Sequence, residues 1–330
     1  MSQFRAAGSA LLRAAGENLK RIRVGGVPEH FNTPWHTVCL LFALPLCAAL
    51  MASATLAQAI AAGLFEEASL QIDWSTYPGG TGAMAQALRE DEIDVAVILT
   101  EGIVADIHRG NPSKLIGTYV SSPLIWGVHV ASGSKWREVS ELQHATYAVS
   151  RLGSGSHLMA KIHAQKLGWD PETLKFAIVK DLQGARKALG NGTADVFLWE
   201  KYTTKELVDS REWRRIGEVP TPWSCFSLAA TDKVLEEHSE SLVTMLSILE
   251  KEAHDLRASA NACETIAAMY GLQERDVAEW IKDVSWSCRP VVCHKMLEQV
   301  MQSLVSAGVL DTASLKRPHE LVAELAKDVE

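Results

Sequence analysis

The segment Arg151-Leu-Gly-Ser-Gly-Ser-His157 gathers two hydroxyls, an imidazole and two glycines. It follows a strand-like stretch, Thr146-Tyr-Ala-Val-Ser150, and precedes a helical pattern from Leu158 to Leu167. Glycines let the backbone approach a ligand closely, and free N–H groups at a helix start attract anions. An ordinary strand-to-helix turn with a serine cap has the same composition. Ser154, Gly155, Ser156 and His157 are therefore candidate contacts to an anion or a carbonyl oxygen. They are not read as catalytic, because Ser beside His in sequence is not a nucleophile–base geometry, and neither GxSxG nor HExxH occurs.

Pro78-Gly-Gly-Thr-Gly82 repeats this logic at a second strand-to-helix junction, which makes Gly79, Gly80 and Thr81 candidates. It lacks the Lys-Ser/Thr of a phosphate-binding P-loop, and GxGxxG is absent too, which argues against nucleoside triphosphates. Two such turns fit a small polar ligand held beyond the strand ends. Trp35, Trp126, Trp199 and Trp223 sit near strand ends, where a ring can stack on a flat ligand or simply pack the core. His30, His36 and His157 are too dispersed for a metal site, and the six cysteines show no structural zinc spacing. No metal or cofactor is expected. The cysteines read as free thiols of a reducing compartment, with a Cys288–Cys293 disulfide as the alternative.

The elements that must position these residues alternate. Strand patterns at Ile22–Val27, Leu70–Trp74, Asp94–Leu99 and Leu115–Val120 are separated by helical patterns at Leu56–Phe65, Gly79–Leu88 and Gly102–His108. This predicts α/β layers with largely parallel strands. An internal echo accompanies them: Ala87-Leu88, five residues, Asp94-Val95 recurs as Ala188-Leu189, five residues, Asp195-Val196. Each copy follows a Gly-Ala pair (Gly82-Ala83, Gly184-Ala185), and each strand is followed by a glutamate, Glu101 or Glu200. Two similarly built lobes explain the echo; chance similarity of two helix–strand units is the alternative. Proline-bearing extended segments at Val120–Val130 and Val219–Ala229 suit crossings between lobes. Helical patterns then cover Val234–Ala260, Val277–Val284, Lys295–Ala307 and Pro318–Ala326, with nothing in them that suggests chemistry.

The net charge of −8 over 330 residues argues against a nucleic-acid partner. From Thr33 to Phe65 there is no Asp, Glu, Lys or Arg, and the 17 residues Val38–Ala54 are almost wholly apolar. That length lies at the lower end for a transmembrane helix and also suits a secretory signal. Met1–Gly16 contains Arg5 and Arg13 and no acidic residue, which fits a presequence or a disordered tail.

As a set, several segments resemble the type 2 periplasmic-binding-protein superfamily: Ile22-Arg-Val-Gly-Gly-Val-Pro28, Tyr77-Pro-Gly-Gly-Thr-Gly-Ala-Met84, Asp94-Val-Ala-Val-Ile-Leu-Thr-Glu-Gly102, Gly153-Ser-Gly-Ser-His157 and Asp195-Val-Phe-Leu-Trp-Glu200. The resemblance spans roughly residues 20–290. It is to the branch of ABC-transporter substrate-binding proteins for taurine, nitrate and thiamine-precursor pyrimidines, and most of all to its intracellular fungal-type members. It implies a two-lobed α/β fold with two hinge crossovers: a leader 1–19, lobe 1 at 20–120, lobe 2 at 121–221, and a return with C-terminal helices at 222–330. It implies ligand contacts in a loop containing Asn32, Trp35 and His36, at Gly79, Gly80 and Thr81, at Thr100 and Glu101, at Ser154–His157, and at Trp199 and Glu200. It also marks residues 37–55 as an insert between Pro34-Trp-His36 and the helix ending Phe65-Glu-Glu67. The 19 residues equal a whole number of codons, so retained intron sequence is one origin, which sequencing the mature transcript would decide.

The expected function is non-catalytic binding of a small polar, flat or anionic metabolite, with Glu101 and Glu200 accepting its N–H groups. The alternatives are an enzyme of thiamine-pyrimidine or related precursor metabolism, whose CCCFC motif is absent here, and a membrane-tethered binding component anchored by residues 38–54. The cytoplasm is the expected compartment, with the mitochondrion as alternative; the oligomeric state is not legible.

Overall fold

The structure, a computed structural model, describes residues 19–39 and 64–329. Most of the proposed leader, and the insert from residue 40 onward, lie outside the described residues. Two mixed sheets form the lobes, and Val291–Val292 pair with Lys327–Asp328 in a separate two-stranded ladder. Lobe 1 contains β1 (Lys20–Gly26), β2 (Leu70–Thr76), β3 (Val95–Leu99), β4 (Ser113–Val120), β10 (Phe226–Thr231) and β11 (Trp286–Arg289), in the order β11-β4-β10-β3-β1-β2. Lobe 2 contains β5 (Ile125–Ala131), β6 (Thr146–Val149), β7 (Lys175–Ile178), β8 (Val196–Glu200) and β9 (Trp213–Pro220), in the order β7-β6-β8-β5-β9.

The expectation of largely parallel strands needs correction. The pairs β1–β2, β1–β3, β6–β7 and β6–β8 are parallel. The two strands that follow the crossings, β5 and β10, pair antiparallel with both of their neighbours. Each enters its sheet from the opposite lobe, so it runs against the strands built in place.

The internal echo is structural. Asp94, just before β3, accepts the Arg23 N–H at 2.7 Å and donates its own N–H to the Arg23 carbonyl. Asp195, just before β8, accepts the Thr146 N–H at 2.8 Å and donates to the Thr146 carbonyl. The two aspartates pin the adjacent parallel strand in each lobe, at the middle of β1 and at the start of β6, and in each lobe the crossing strand lies on the other side of β3 or β8.

Helices α3 (Gly80–Arg89), α4 (Thr100–His108), α5 (Gly155–Lys166) and α6 (Leu182–Gly190) start close after β2, β3, β6 and β7. Their N-termini therefore collect at the carboxyl ends of the strands. A second correction concerns the loop predicted at Asn32–His36. Asn32 ends a 3₁₀ turn, Thr33–Cys39 form helix α1, and Leu64–Glu67 form the one-turn helix α2. Pro34 is tolerated because the first helical turn needs no N–H donor. Thr33 Oγ1 bonds the His30 carbonyl at 2.6 Å, and Thr37 Oγ1 bonds that of Thr33 at 3.0 Å.

The C-terminal part packs on lobe 1. After the short helix α7 (Lys205–Asp209) of lobe 2, a long helix, α8 (Asp232–Ala258), bends at His238, whose backbone is non-helical. Helices α9 (Ala262–Tyr270) and α10 (Glu274–Asp283) follow, and α11 (His294–Ser306) lies against α4. The helix predicted over Pro318–Ala326 ends at Leu321, because Val322 leaves it to bridge Leu115 of β4. Cys225, Cys263, Cys288 and Cys293 are free. No described helix is long and apolar enough to cross a membrane.

Candidate functional site

Two cavities lie where the strand ends of the lobes face each other, and they share no lining residue. The larger, about 710 Å³, is bounded by the starts of α3, α4 and α5 and by the turn after β6. The smaller, about 400 Å³, lies between the segment after β1, the segment after β8 and helices α9 and α10.

Glu101 lines the larger cavity. Placed at the first turn of α4 by the end of β3, it is 2% exposed. Its Oε2 accepts the Trp223 indole N–H at 2.9 Å, while its Oε1 has no partner. A buried carboxylate with half its acceptors unsatisfied is costly, and the proton is held instead. Burial pushes the Glu101 carboxyl up to about 7, against smaller lowering by its hydrogen bonds. Across the cleft, a Cβ at Gly155 would stand 3.5 Å from Glu101 Oε1 and 3.0 Å from the Trp126 ring. The missing side chain lets the lobes meet there. The Trp126 indole N–H is likewise buried without a partner.

The same cavity carries an excess of positive charge. Arg89 is paired with Asp106. Arg109, Arg151 and Lys180 also line the cavity, and none of them makes a salt bridge among the described residues. Arg151 reaches from lobe 2 to lobe 1, where a Cβ at Gly82 would meet its guanidinium carbon at 2.8 Å. Burial, and secondarily the charge of Arg109, hold the Arg151 guanidinium below its ordinary value. Beside it, α5 begins at Gly155 with Ser154 as its cap, the Ser154 hydroxyl accepting the His157 N–H at 3.4 Å. Like charges converging on a helix start favour an anion between them.

Of the residues selected from sequence, Gly79, Thr81, Glu101, Ser154 and Gly155 are brought together around this cavity. Gly80 opens α3 in the left-handed region, φ 65°. The others are held within the lobes. Thr100 Oγ1 bonds the Ser224 carbonyl at 2.7 Å and Ser227 Oγ at 2.8 Å. Ser156 Oγ takes the Ser150 N–H at 3.1 Å, and His157 Nδ1 takes that of Gly153 at 3.1 Å. Asn32 donates to the Val27 carbonyl at 2.7 Å, while its Oδ1 has no partner. Trp35 is fully buried beside Phe65 and Trp74, and half-buried His36 lies edge-on to Trp74. Trp199 stacks on Phe197 at 5.1 Å. Glu200 Oε2 accepts the Tyr202 and Thr203 N–H groups and the Thr203 hydroxyl at 2.9, 2.6 and 2.8 Å, so that oxygen closes a turn.

Sequence reasoning missed Arg109, Arg151 and Lys180, and also Glu29, Tyr270 and Trp280 of the smaller cavity, and weighed His30 only with the dispersed histidines. Arg151 begins the very segment singled out for its serines. The signal for Glu29 and His30 was their place directly after β1. Tyr270 and Trp280 belong to the C-terminal helices, which carried no sign of chemistry in their pattern.

Comparison with known proteins agrees with this architecture. Residues 126–219 match a family model described as Ca3427-like periplasmic binding protein. Among solved structures, the Candida albicans CA3427 gene product is 26% identical with a TM-score of 0.79, over 94% of this chain and 99% of that one. It is described as defining a new family with the generic periplasmic-binding-protein fold. The alkanesulfonate-binding protein SsuA of Xanthomonas axonopodis pv. citri, bound to MOPS, is 16% identical with a TM-score of 0.69, over 93% and 97% of the two chains. The Escherichia coli aliphatic sulphonate-binding protein SsuA is 14% identical with a TM-score of 0.66, over 94% of each. No curated protein sequence matches.

Proposed function

From a chain with the type 2 periplasmic-binding-protein fold, we propose a solute-binding protein that closes its two lobes on a small anionic metabolite. The observation that carries the reading is the larger cavity. It joins Arg109 and Thr81 of lobe 1 to Arg151, Lys180 and the start of α5 of lobe 2, beside the unpartnered Glu101 Oε1. The ligand's anionic group sits at the Ser154–Gly155 helix start between the two arginines, and a polar N–H or O–H group of the ligand meets Glu101. Both lobes contribute contacts, so binding favours the closed arrangement by the difference in contacts between the two states. The sulfonate ligands of the SsuA proteins support an anion of this kind.

A thermal-shift screen of alkanesulfonates, phosphorylated pyrimidines, carboxylates and nitrate tests this reading. A ligand at 100 times its Kd adds about 2.7 kcal/mol to stability. A saturable shift with one anion class, lost on Arg151→Ala, is the expected result. No shift with any class would overturn it.

A further inference from the structure

The smaller cavity has the opposite character. Glu29, Glu206, Asp209 and Asp276 line it, with Lys205 as the cation among them. Lys205 is engaged by Asp209 at 2.7 Å and by Asp276 at 3.4 Å, which leaves Glu29 and Glu206 without a salt bridge among the described residues. Aromatic rings make up much of the remaining wall: His30, Tyr202, Tyr270 and Trp280. His30 is 3% exposed and lies edge-on to Trp280 at 4.3 Å and to Tyr270 at 6.3 Å. Its Nε2 is buried with no hydrogen-bond partner, while the Tyr270 hydroxyl has the Thr33 side chain beside it.

Buried polar atoms are nearly always satisfied, and an orphaned nitrogen on a side chain only 3% exposed, in the lining of a cavity, points to an absent partner. Burial pushes His30 down to about 3, so the ring is neutral and one of its nitrogens is free to accept a hydrogen bond. Aromatic faces and carboxylates both attract a cation. We propose that this cavity is a second ligand site, separate from the anion cavity, and that it takes a primary organic ammonium. The ammonium N–H groups meet His30 and the Tyr270 oxygen, Glu29 supplies the counter-charge, and the alkyl part lies against Tyr270 and Trp280. Burial, and then the nearby Glu200, raise the Glu29 carboxyl to about 8, so an arriving ammonium displaces its proton.

The ion pairs Lys205–Asp276 and Arg275–Asp209, at 3.4 and 3.9 Å, join lobe 2 to helix α10 at this cavity. The site is thus assembled by the same closure that forms the anion cavity, while using none of its residues.

Calorimetry and thermal shift on the full chain at pH 8.5, with n-butylammonium chloride at matched ionic strength, test the proposal. Saturable binding of n-butylammonium, and none of neutral n-butanol, is expected. Tetramethylammonium, which has no N–H, should bind at least about tenfold more weakly, as should n-butylammonium to Glu29→Gln. The unliganded melting temperature of Glu29→Gln establishes that it folds, and Glu206→Gln, on the exposed rim, provides a second weakening variant. Absence of binding, equal binding of n-butanol, or equal binding of tetramethylammonium would each overturn the assignment. So would a loss produced by Glu101→Gln but not by Glu29→Gln, which would place the ammonium in the anion cavity.

Discussion

Trp223 donates its indole N–H to Glu101 Oε2 at 2.9 Å, tying the second crossing segment to the first turn of α4. The bond spans 122 residues of sequence and joins the hinge region to the carboxyl that faces the cleft. It satisfies one oxygen and leaves the other in the larger cavity.

Glu101→Gln should flatten part of the pH dependence of stability. The folded-state carboxyl is raised to about 7, so the native chain holds a proton that the unfolded chain releases near 4.5. This contribution is greatest below pH 4.5 and is lost as pH rises toward 7. A shift of that size corresponds to about 3 kcal/mol. Gln retains an acceptor for Trp223 and carries no charge. Melting curves of the two proteins should differ little at pH 4.5, and the variant should be the more stable at pH 8. An equal gap at both values would exclude a titrating Glu101.

The paired glycines of the internal echo should respond differently to alanine. A Cβ at Gly184 would stand 1.8 Å from the Val179 carbonyl oxygen, a backbone atom that cannot move aside cheaply. Gly184→Ala should cost about 3 kcal/mol in denaturant unfolding. At Gly82 the obstruction is the end of the Arg151 side chain, which can swing away. Gly82→Ala should preserve stability or add up to about 1 kcal/mol of helix propensity, while weakening whichever anion the screen identifies.

Arg151→Ala should reduce affinity for that anion by about tenfold or more, with a smaller salt dependence than the parent. Isothermal titration at two ionic strengths is the check. An unchanged affinity would show that the guanidinium does not touch the ligand.

Lys161→Met should loosen closure. Lys161, buried on α5 of lobe 2, bonds the Ala307 carbonyl beyond α11 at 2.9 Å and Glu172 at 2.7 Å. Methionine keeps the apolar stem and removes the bond between the lobes. Hydrogen bonds to charged groups contribute about 1.5–3 kcal/mol, enough to shift a closed-to-open balance measurably. Small-angle scattering should give the variant a larger radius of gyration than its parent; equal radii would confine the bond to a local role.

Much of the architecture was legible in the chain. Alternating periods of two and 3.6 residues placed β1–β4 and helices α3–α5 within a few residues of their observed limits. The echo of Asp94-Val95 in Asp195-Val196 marked equivalent strands, because the same aspartate performs the same task in both lobes: it accepts a backbone N–H of the neighbouring parallel strand. Gly79, Thr81, Ser154 and Gly155 were legible for a related reason. A helix that starts close after a strand needs small residues and hydroxyls locally, and those needs appear in consecutive positions.

What the chain determined by itself was local: which segments are strands, which turns start helices, and which of those turns present N–H groups. Only the tertiary structure decided how the resulting charges are distributed. Arg109 and Arg151 are 42 residues apart in sequence, yet they line one cavity. His30 and Tyr270 are 240 apart and share another. The antiparallel course of β5 and β10 follows from the lobe each strand comes from, which periodicity does not record. Glu101 and Glu200 stand at matching places in the echo, but Glu101 keeps one oxygen unpartnered at a cavity, whereas Glu200 turns one inward to close a backbone turn. That difference arises from burial and hydrogen-bond satisfaction, which depend on neighbours brought together from distant parts of the sequence.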